Sequence, residues 1–240
     1  MAENHILDAV GLVQLPPLSA THVAQLCDAL GELMTPATER PGKFEFIDRQ
    51  PALFTYVWEY DAVPQLIREF CGEHARLDNH FGFNYPGQGV GPNIHGGPGS
   101  ERRSVWWHAA AGHSHTTNLK VGVALQAHAG FGFLPGSHKA GSLQAASHAT
   151  PAELQRPQCV PGSVVVFTDA LVHGTIESPD TRTMLYYTFT PGHVAWAQYR
   201  EPPWRDRLPS SRRRFIRPPG IVVVDPADRT TIQYLPPSFD

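Results

Sequence analysis

The spacing of apolar and polar residues divides the chain into a helical front and a β-rich body. Between Thr21 and Met34, apolar residues at Val23, Leu26, Cys27, Leu30, Leu33 and Met34 form one stripe at helical spacing, with Thr21 placed to cap it. A second amphipathic segment follows Asp61. It carries Val63, Leu66, Ile67, Phe70 and Cys71 on one face and Arg68, Glu69 and Glu73 off it. From about residue 76 the period changes to two. Leu119, Val121, Val123 and Leu125 alternate with Lys120, Gly122 and Ala124, which predicts a strand with one buried face. Short apolar runs at Val164–Phe167, Met184–Phe189 and Ile221–Val224 predict further strands, the first opened by the turn Val160-Pro-Gly-Ser and the second ended by Pro191-Gly192. No repeat and no low-complexity linker interrupts them. The expectation is one domain over 1–240, with a helical part over about 1–75, a β core over about 76–195 and an extension over about 196–240. Two helices packed outside a double-sheet β-sandwich fit this pattern.

Composition narrows the class without changing that picture. A chain of 240 residues can bury a sizeable core. The net charge of −3 argues against nucleic acid as a partner. No run of about 18 apolar residues is present, so no membrane span is expected, and Met-Ala-Glu-Asn-His lacks a signal-peptide layout. Cys27, Cys71 and Cys159 form no CxxC pair, and their odd number makes a reducing cytoplasm the default compartment. The 23 prolines and 21 glycines suit many short strands joined by turns.

Three segments carry candidate chemistry. In Phe167-Thr-Asp-Ala-Leu-Val-His-Gly-Thr a strand runs into His173, and on an extended chain Asp169 and His173 share a face. An imidazole at a strand end beside a carboxylate is suited to hold a metal, although a histidine hydrogen-bonded in a turn has the same local sequence. Arg182 opens the apolar strand Thr183-Met-Leu-Tyr-Tyr-Thr-Phe, where a guanidinium is costly to bury unless an anion meets its planar fork. The third segment, Gly132-Phe-Leu-Pro-Gly-Ser-His-Lys, is by itself a turn.

In combination these segments resemble the phytanoyl-CoA dioxygenase family of Fe(II)/2-oxoglutarate oxygenases. The match runs over roughly 76–195 and rests on the Leu-Pro-Gly-Ser-His-Lys turn, then Pro-Gly-Ser-Val-Val-Val-Phe, then His173-Gly174 with Arg182 nine residues beyond His173. The resemblance implies a mainly β fold, the double-stranded β-helix or jelly roll, with flanking N-terminal helices. It implies Fe(II) as cofactor, 2-oxoglutarate and O₂ as co-substrates, and a small-molecule substrate oxidised at a C–H bond, most simply by hydroxylation. His173 falls on the distal iron histidine, Arg182 on the arginine that anchors 2-oxoglutarate, and His95-Gly96-Gly97 on the proximal His-X-Asp motif.

Gly97 offers no oxygen ligand where that motif carries aspartate. Three readings follow: a third ligand from elsewhere, with Asp169 the best placed; an exogenous anion or water in the gap, as in halogenating members; or a site that binds without turnover. His108 in Trp106-Trp-His-Ala-Ala is a rival proximal ligand, and Ala110 leaves it the same gap. Trp106 and Trp107 are candidates for a pocket wall, and His113-Ser-His115 has ligand-like spacing in a glycine-rich stretch. The basic run from Trp204 to Arg217 reads as a solvated tail or as a holder of an anionic substrate. The leading reading is an iron and 2-oxoglutarate oxygenase; the alternatives are a halogenase-like enzyme and a non-catalytic jelly-roll binding protein.

Overall fold

The alternation in Leu119–Ala124 has both of its faces buried, not one, and this determines the architecture. The computed structural model describes residues 2–31, 42–44, 60–85, 92–96, 118–138, 149–191, 205–208, 210–216, 221–224 and 232–235. Its elements are α1 (Ala2–Val10), β1 (Leu12–Leu15), α2 (Ala20–Leu30), β2 (Gly42–Phe44), α3 (Ala62–Cys71), β3 (Arg76–Tyr85), β4 (Asn93–His95), β5 (Leu119–Ala124), β6 (Phe131–Phe133), β7 (Val164–Thr168), β8 (His173–Thr175) and β9 (Arg182–Thr190). A 3-10 turn at Arg205–Arg207 and a short helix at Ser210–Arg213 precede the antiparallel pair β10 (Ile221–Val224) and β11 (Ile232–Leu235). Six strands form a large sheet in the order β1-β7-β5-β9-β3-β2, and three form a small one in the order β4-β8-β6. Their pairings are antiparallel. This is the two-sheet jelly roll expected from the sequence.

Residue parity assigns each side chain to a layer. Leu119, Val121 and Val123 of β5, Val164 and Val166 of β7, and Leu185, Tyr187 and Phe189 of β9 point outward. There they pack against Val23, Leu26 and Leu30 of α2 and against Val63, Leu66, Ile67 and Phe70 of α3. The opposite parity points between the sheets: Ala124, Val165, Phe167, Met184 and Tyr186 meet Phe131 and Phe133 of the small sheet. Lys120 lies on this inner face and is buried. The helices over one face and the small sheet over the other leave no solvent side for the alternation to mark.

The two expected helices form, with adjusted ends. Ser19, not Thr21, caps α2: its backbone is extended and its hydroxyl accepts from the His22 N–H at 3.2 Å. The helix stops at Gly31, and Leu33 and Met34 lie outside the described residues. The expected helical front also contains β1, paired with β7 along the edge of the large sheet. Its four residues are too short for periodicity to distinguish from loop.

Three described residues of the basic run near the C-terminus join the core. Leu208, Phe215 and Ile216 are buried against the outer face, and the Leu77 N–H donates to the Phe215 carbonyl at 2.7 Å. Arg213 donates to the carbonyls of Asp206 and Leu208, and Arg205 to that of Ile216, so these cations tie their own segment together. None of the described residues of the run lines the cavity between the sheets. Phe215 stacks edge-on to Phe189 with centroids 5.8 Å apart. Phe215→Ala should therefore lower unfolding stability by about 3–5 kcal/mol in urea titration; a loss below about 1 kcal/mol would make the segment peripheral after all.

Candidate functional site

The small sheet is built to bring two histidines together. β4 and β8 pair in the register Asn93↔Thr175, Ile94↔Gly174 and His95↔His173. Directly opposed residues project to the same face, and the two imidazole centroids stand 4.5 Å apart. Gly174 permits the approach, because a Cβ there would fall 2.0 Å from the Asn93 carbonyl oxygen. Each ring is oriented by backbone. His173 Nδ1 lies 2.6 Å from the Leu171 carbonyl and His95 Nδ1 lies 3.2 Å from the Asn93 carbonyl. A carbonyl only accepts, so Nδ1 carries a proton in both rings. Burial above all, with His95 and Lys120 nearby, holds the His173 pKa well below its usual value, against the opposing pull of Asp169. His173 is therefore a neutral donor at physiological pH.

The extended run expected to carry Asp169 and His173 on one face is broken. β7 ends at Thr168, a turn follows, and β8 starts at His173. Asp169 still lines the same cavity. Its Oδ1 forms an ion pair with Lys120 Nζ at 2.6 Å, and its Oδ2 accepts from Asn118 Nδ2 at 3.2 Å. Among the described residues no three His, Cys, Asp or Glu side chains converge as a metal-binding group. β4 ends at His95: Gly96 has φ +97, and a Cβ on it would strike the Leu171 carbonyl. Gly97 lies outside the described residues, as do Trp106, Trp107, His108, His113 and His115.

The Leu134-Pro-Gly-Ser-His turn clamps this corner. Leu134 N–H donates to the Val172 carbonyl, and Val172 N–H donates to Ser137 Oγ, both at 2.8 Å. His138 Nε2 donates to the Asp8 carbonyl at 2.9 Å, and Gly136 N–H to that of Val10. The segment entering His173 is thus fixed to α1 through a single turn.

Arg182, the candidate anion-binding group of the sequence, is buried. It opens β9 on the inner face, is 3% exposed, and lies with its guanidinium carbon 4.0 Å from the centre of the Tyr85 ring. One terminal nitrogen donates to Thr175 Oγ1 at 2.9 Å, while Nη1 is buried with no hydrogen-bond partner. A buried guanidinium N–H without an acceptor is destabilising unless a ligand supplies one. The small sheet therefore presents two adjacent imidazoles, and the facing inner side of the large sheet presents a cation with one unpartnered terminal nitrogen.

The two imidazoles border a cavity of about 370 Å³, and Arg182 lies behind its Thr175 and Tyr85 wall. Thr175, Tyr85 and Tyr186 line it toward Arg182; Asn118, Lys120 and Asp169 line it at the other end. A β-bulge shapes the wall. Between Leu77 and Asn79 the β3 register slips by one residue, which turns Asn79, Phe81, Phe83 and Tyr85 inward after Leu77 has faced the helices. Behind Arg182, His128 Nδ1 accepts from the Gly130 N–H and its Nε2 faces Met184 Sδ at 3.0 Å. Lys120, Asn79 and Thr188 were missed as site residues. The available signal was Lys120 itself, a charge inside an otherwise apolar alternation.

No family model matches the chain, and no curated protein matches it. Solved structures do. The fold is similar to that of HygX from Streptomyces hygroscopicus crystallised with nickel and 2-oxoglutarate, with a TM-score of 0.66, 19% identity, and 82% of this chain and 89% of that chain covered. HygX with nickel, 2-oxoglutarate and hygromycin B gives 0.64 at 18% identity, covering 82% and 89%. EctD from S. alaskensis with 2-oxoglutarate and 5-hydroxyectoine gives 0.57 at 22% identity, covering 79% and 75%. At such identities the likeness establishes the jelly-roll fold.

His128 makes the fold acid-sensitive. Burial, with the Arg182 charge beside it, lowers its pKa to about 3. The unfolded chain takes up a proton near pH 6.5 that the folded chain refuses, so stability falls as pH drops below about 6.5. Between pH 7 and pH 5 this one group should remove on the order of 2 kcal/mol. His128→Leu should flatten that limb in urea titrations at the two pH values, and an unchanged slope would show that His128 is charged in the native state.

Proposed function

We propose that this protein is a non-haem Fe(II)- and 2-oxoglutarate-dependent oxygenase of a small molecule, with the metal held by His95 and His173. The observation that carries this reading is the His95–His173 pair on the small sheet, its ring centroids 4.5 Å apart, opposite a large sheet that holds Arg182 with its Nη1 buried and unpartnered. Imidazole nitrogens suit Fe(II), and a guanidinium fork suits the distal carboxylate of 2-oxoglutarate. The likeness to HygX and EctD, whose crystals held 2-oxoglutarate with nickel or with 5-hydroxyectoine, agrees with it. Bound together, Fe(II) and 2-oxoglutarate supply oxidative decarboxylation by O₂, one oxygen atom leaving in succinate and the other entering the substrate.

The chain's own residues do the remaining work. Arg182 and Thr175 hold the distal carboxylate, and Tyr85 covers the guanidinium. The aromatic wall of Phe81, Phe131 and Phe167 keeps the reacting end dry. Asp169, engaged by Lys120 and Asn118, balances charge beside His173 and stays outside the coordination sphere. His95 and His173 would then hold the metal without a protein carboxylate, and halogenation, supplied by a small anion at the metal, is the second reading beside hydroxylation. Three free thiols, two of them buried, are compatible with a reducing cytoplasm, and no helix among the described residues is long and apolar enough to cross a membrane.

Three measurements test this. His173→Ala and His95→Ala should each abolish stoichiometric Fe(II) binding; retained binding in His95→Ala together with its loss in His108→Ala would transfer the proximal role to His108. Arg182→Ala should weaken 2-oxoglutarate binding at least tenfold, since a charge-assisted hydrogen bond contributes about 1.5–3 kcal/mol, with only partial rescue in Arg182→Lys. Asp169→Asn should keep iron, and chloride should perturb the iron–2-oxoglutarate absorption band of the wild type. Iron lost on Asp169→Asn, with no chloride response in the wild type, would make Asp169 the third ligand. Succinate formation without any iron dependence would defeat the oxygenase reading itself.

A further inference from the structure

At the end of the cavity away from Arg182, three neighbouring strands each present one hydrogen-bonding side chain at the same level. Lys120 of β5 is paired in register with Thr188 of β9, and Thr188 with Asn79 of β3. Directly paired residues share a face, and here it is the inner one, with all three lining the cavity. Adjacent strands lie about 4.8 Å apart, so the three form an evenly spaced row. Asp169 and Asn118 extend it on the β7 side through the ion pair and the amide hydrogen bond described above.

Two properties of the row point to a ligand. Thr188 is 5% exposed, and its hydroxyl is buried with no hydrogen-bond partner. A hydroxyl hidden in that way is destabilising, and a valine of the same shape would avoid the penalty. The second property is charge. Lys120 is matched by Asp169 at 2.6 Å, and Asp78, at the bulge, by Arg76 at 2.6 Å. The row is formally neutral, so an additional ion would find no counter-charge there, whereas hydroxyl groups would find both donors and acceptors. Phe81 and Phe167 lie beside it and offer apolar contact to a carbon skeleton.

We infer that the row Asn79–Thr188–Lys120 is the substrate-orienting subsite and that it takes a small neutral polyol, a cyclitol or sugar-like molecule, with its hydroxyl edge on the row and its C–H face on Phe81 and Phe167. The inference rests on the oxygenase reading only in taking the His95–His173 pair as the reactive end. It places the substrate on the side of that pair opposite to Arg182, and the cavity limits it to small molecules.

The test is calorimetry under anaerobic conditions on the protein with Fe(II), carried out with and without 2-oxoglutarate. The probes are myo-inositol, glucose and glycerol, with quinate as the anionic and cyclohexanol as the apolar comparator. At least one neutral polyol should bind saturably, and tenfold or more tighter than either comparator. Thr188→Val should weaken that polyol about tenfold, while leaving 2-oxoglutarate affinity unchanged and the thermal midpoint equal or higher. Asn79→Leu is a second arm should Thr188→Val misfold. No polyol binding, a preference for quinate or cyclohexanol, or wild-type polyol affinity in the folded variants would overturn the assignment. The 2-oxoglutarate titration reads the oxygenase proposal separately: its failure with polyol binding intact would sink that proposal and leave this one standing.

Discussion

The site depends on three residue pairs between β4 and β8. Without them His95 has no reason to stand beside His173, since 77 positions separate the two in the sequence numbering. The pairing needs two close backbone approaches, at Gly174 against Asn93 and at Gly96 against Leu171, and glycine meets both. The rest of the fold serves that short ladder. The large sheet supplies the opposite wall, the helices bury that sheet's outer face, and the Leu134–His138 turn secures the chain entering β8.

The large sheet also separates two chemistries along one face. Parity puts Arg182, Met184, Tyr186 and Thr188 of β9 in a line under the small sheet, beginning with a cation and ending with a hydroxyl. A ligand spanning this line meets a charged end, an aromatic middle and a neutral polar end in succession. The bulge in β3 extends the order to a third strand by turning Asn79 and Tyr85 inward at the two ends.

The parts legible in the sequence were those encoded over a few neighbouring residues. α3 was visible because Val63, Leu66, Ile67, Phe70 and Cys71 repeat at helical spacing, and all five are buried. His173 and Arg182 were visible because a turn signal follows one and a charge opens an apolar run at the other. The polar row was not, because Lys120, Thr188 and Asn79 meet only through strand register, a non-local property. The bulge was equally hidden: a single inserted residue, Asp78, changes which of its neighbours face inward and leaves no compositional trace. Asp169 shows the converse error. Extending a strand through 169–173 put it on the face of His173 by parity, whereas the chain turns there and brings it to the cavity by another route.

Both imidazoles are aimed by main-chain carbonyls two residues upstream, Asn93 for one and Leu171 for the other. Many metal-binding histidines depend on a side-chain carboxylate or amide for that purpose, and lose their orientation when it mutates. Here no single side-chain replacement removes the acceptor, because every residue carries a carbonyl. The lining of the cavity is thereby released from the task of aiming the two imidazoles. Such a scaffold can exchange its cavity-facing residues over evolutionary time while the placement of the two imidazoles is inherited with the backbone, which suits a fold whose solved neighbours were crystallised with molecules as different as hygromycin B and 5-hydroxyectoine.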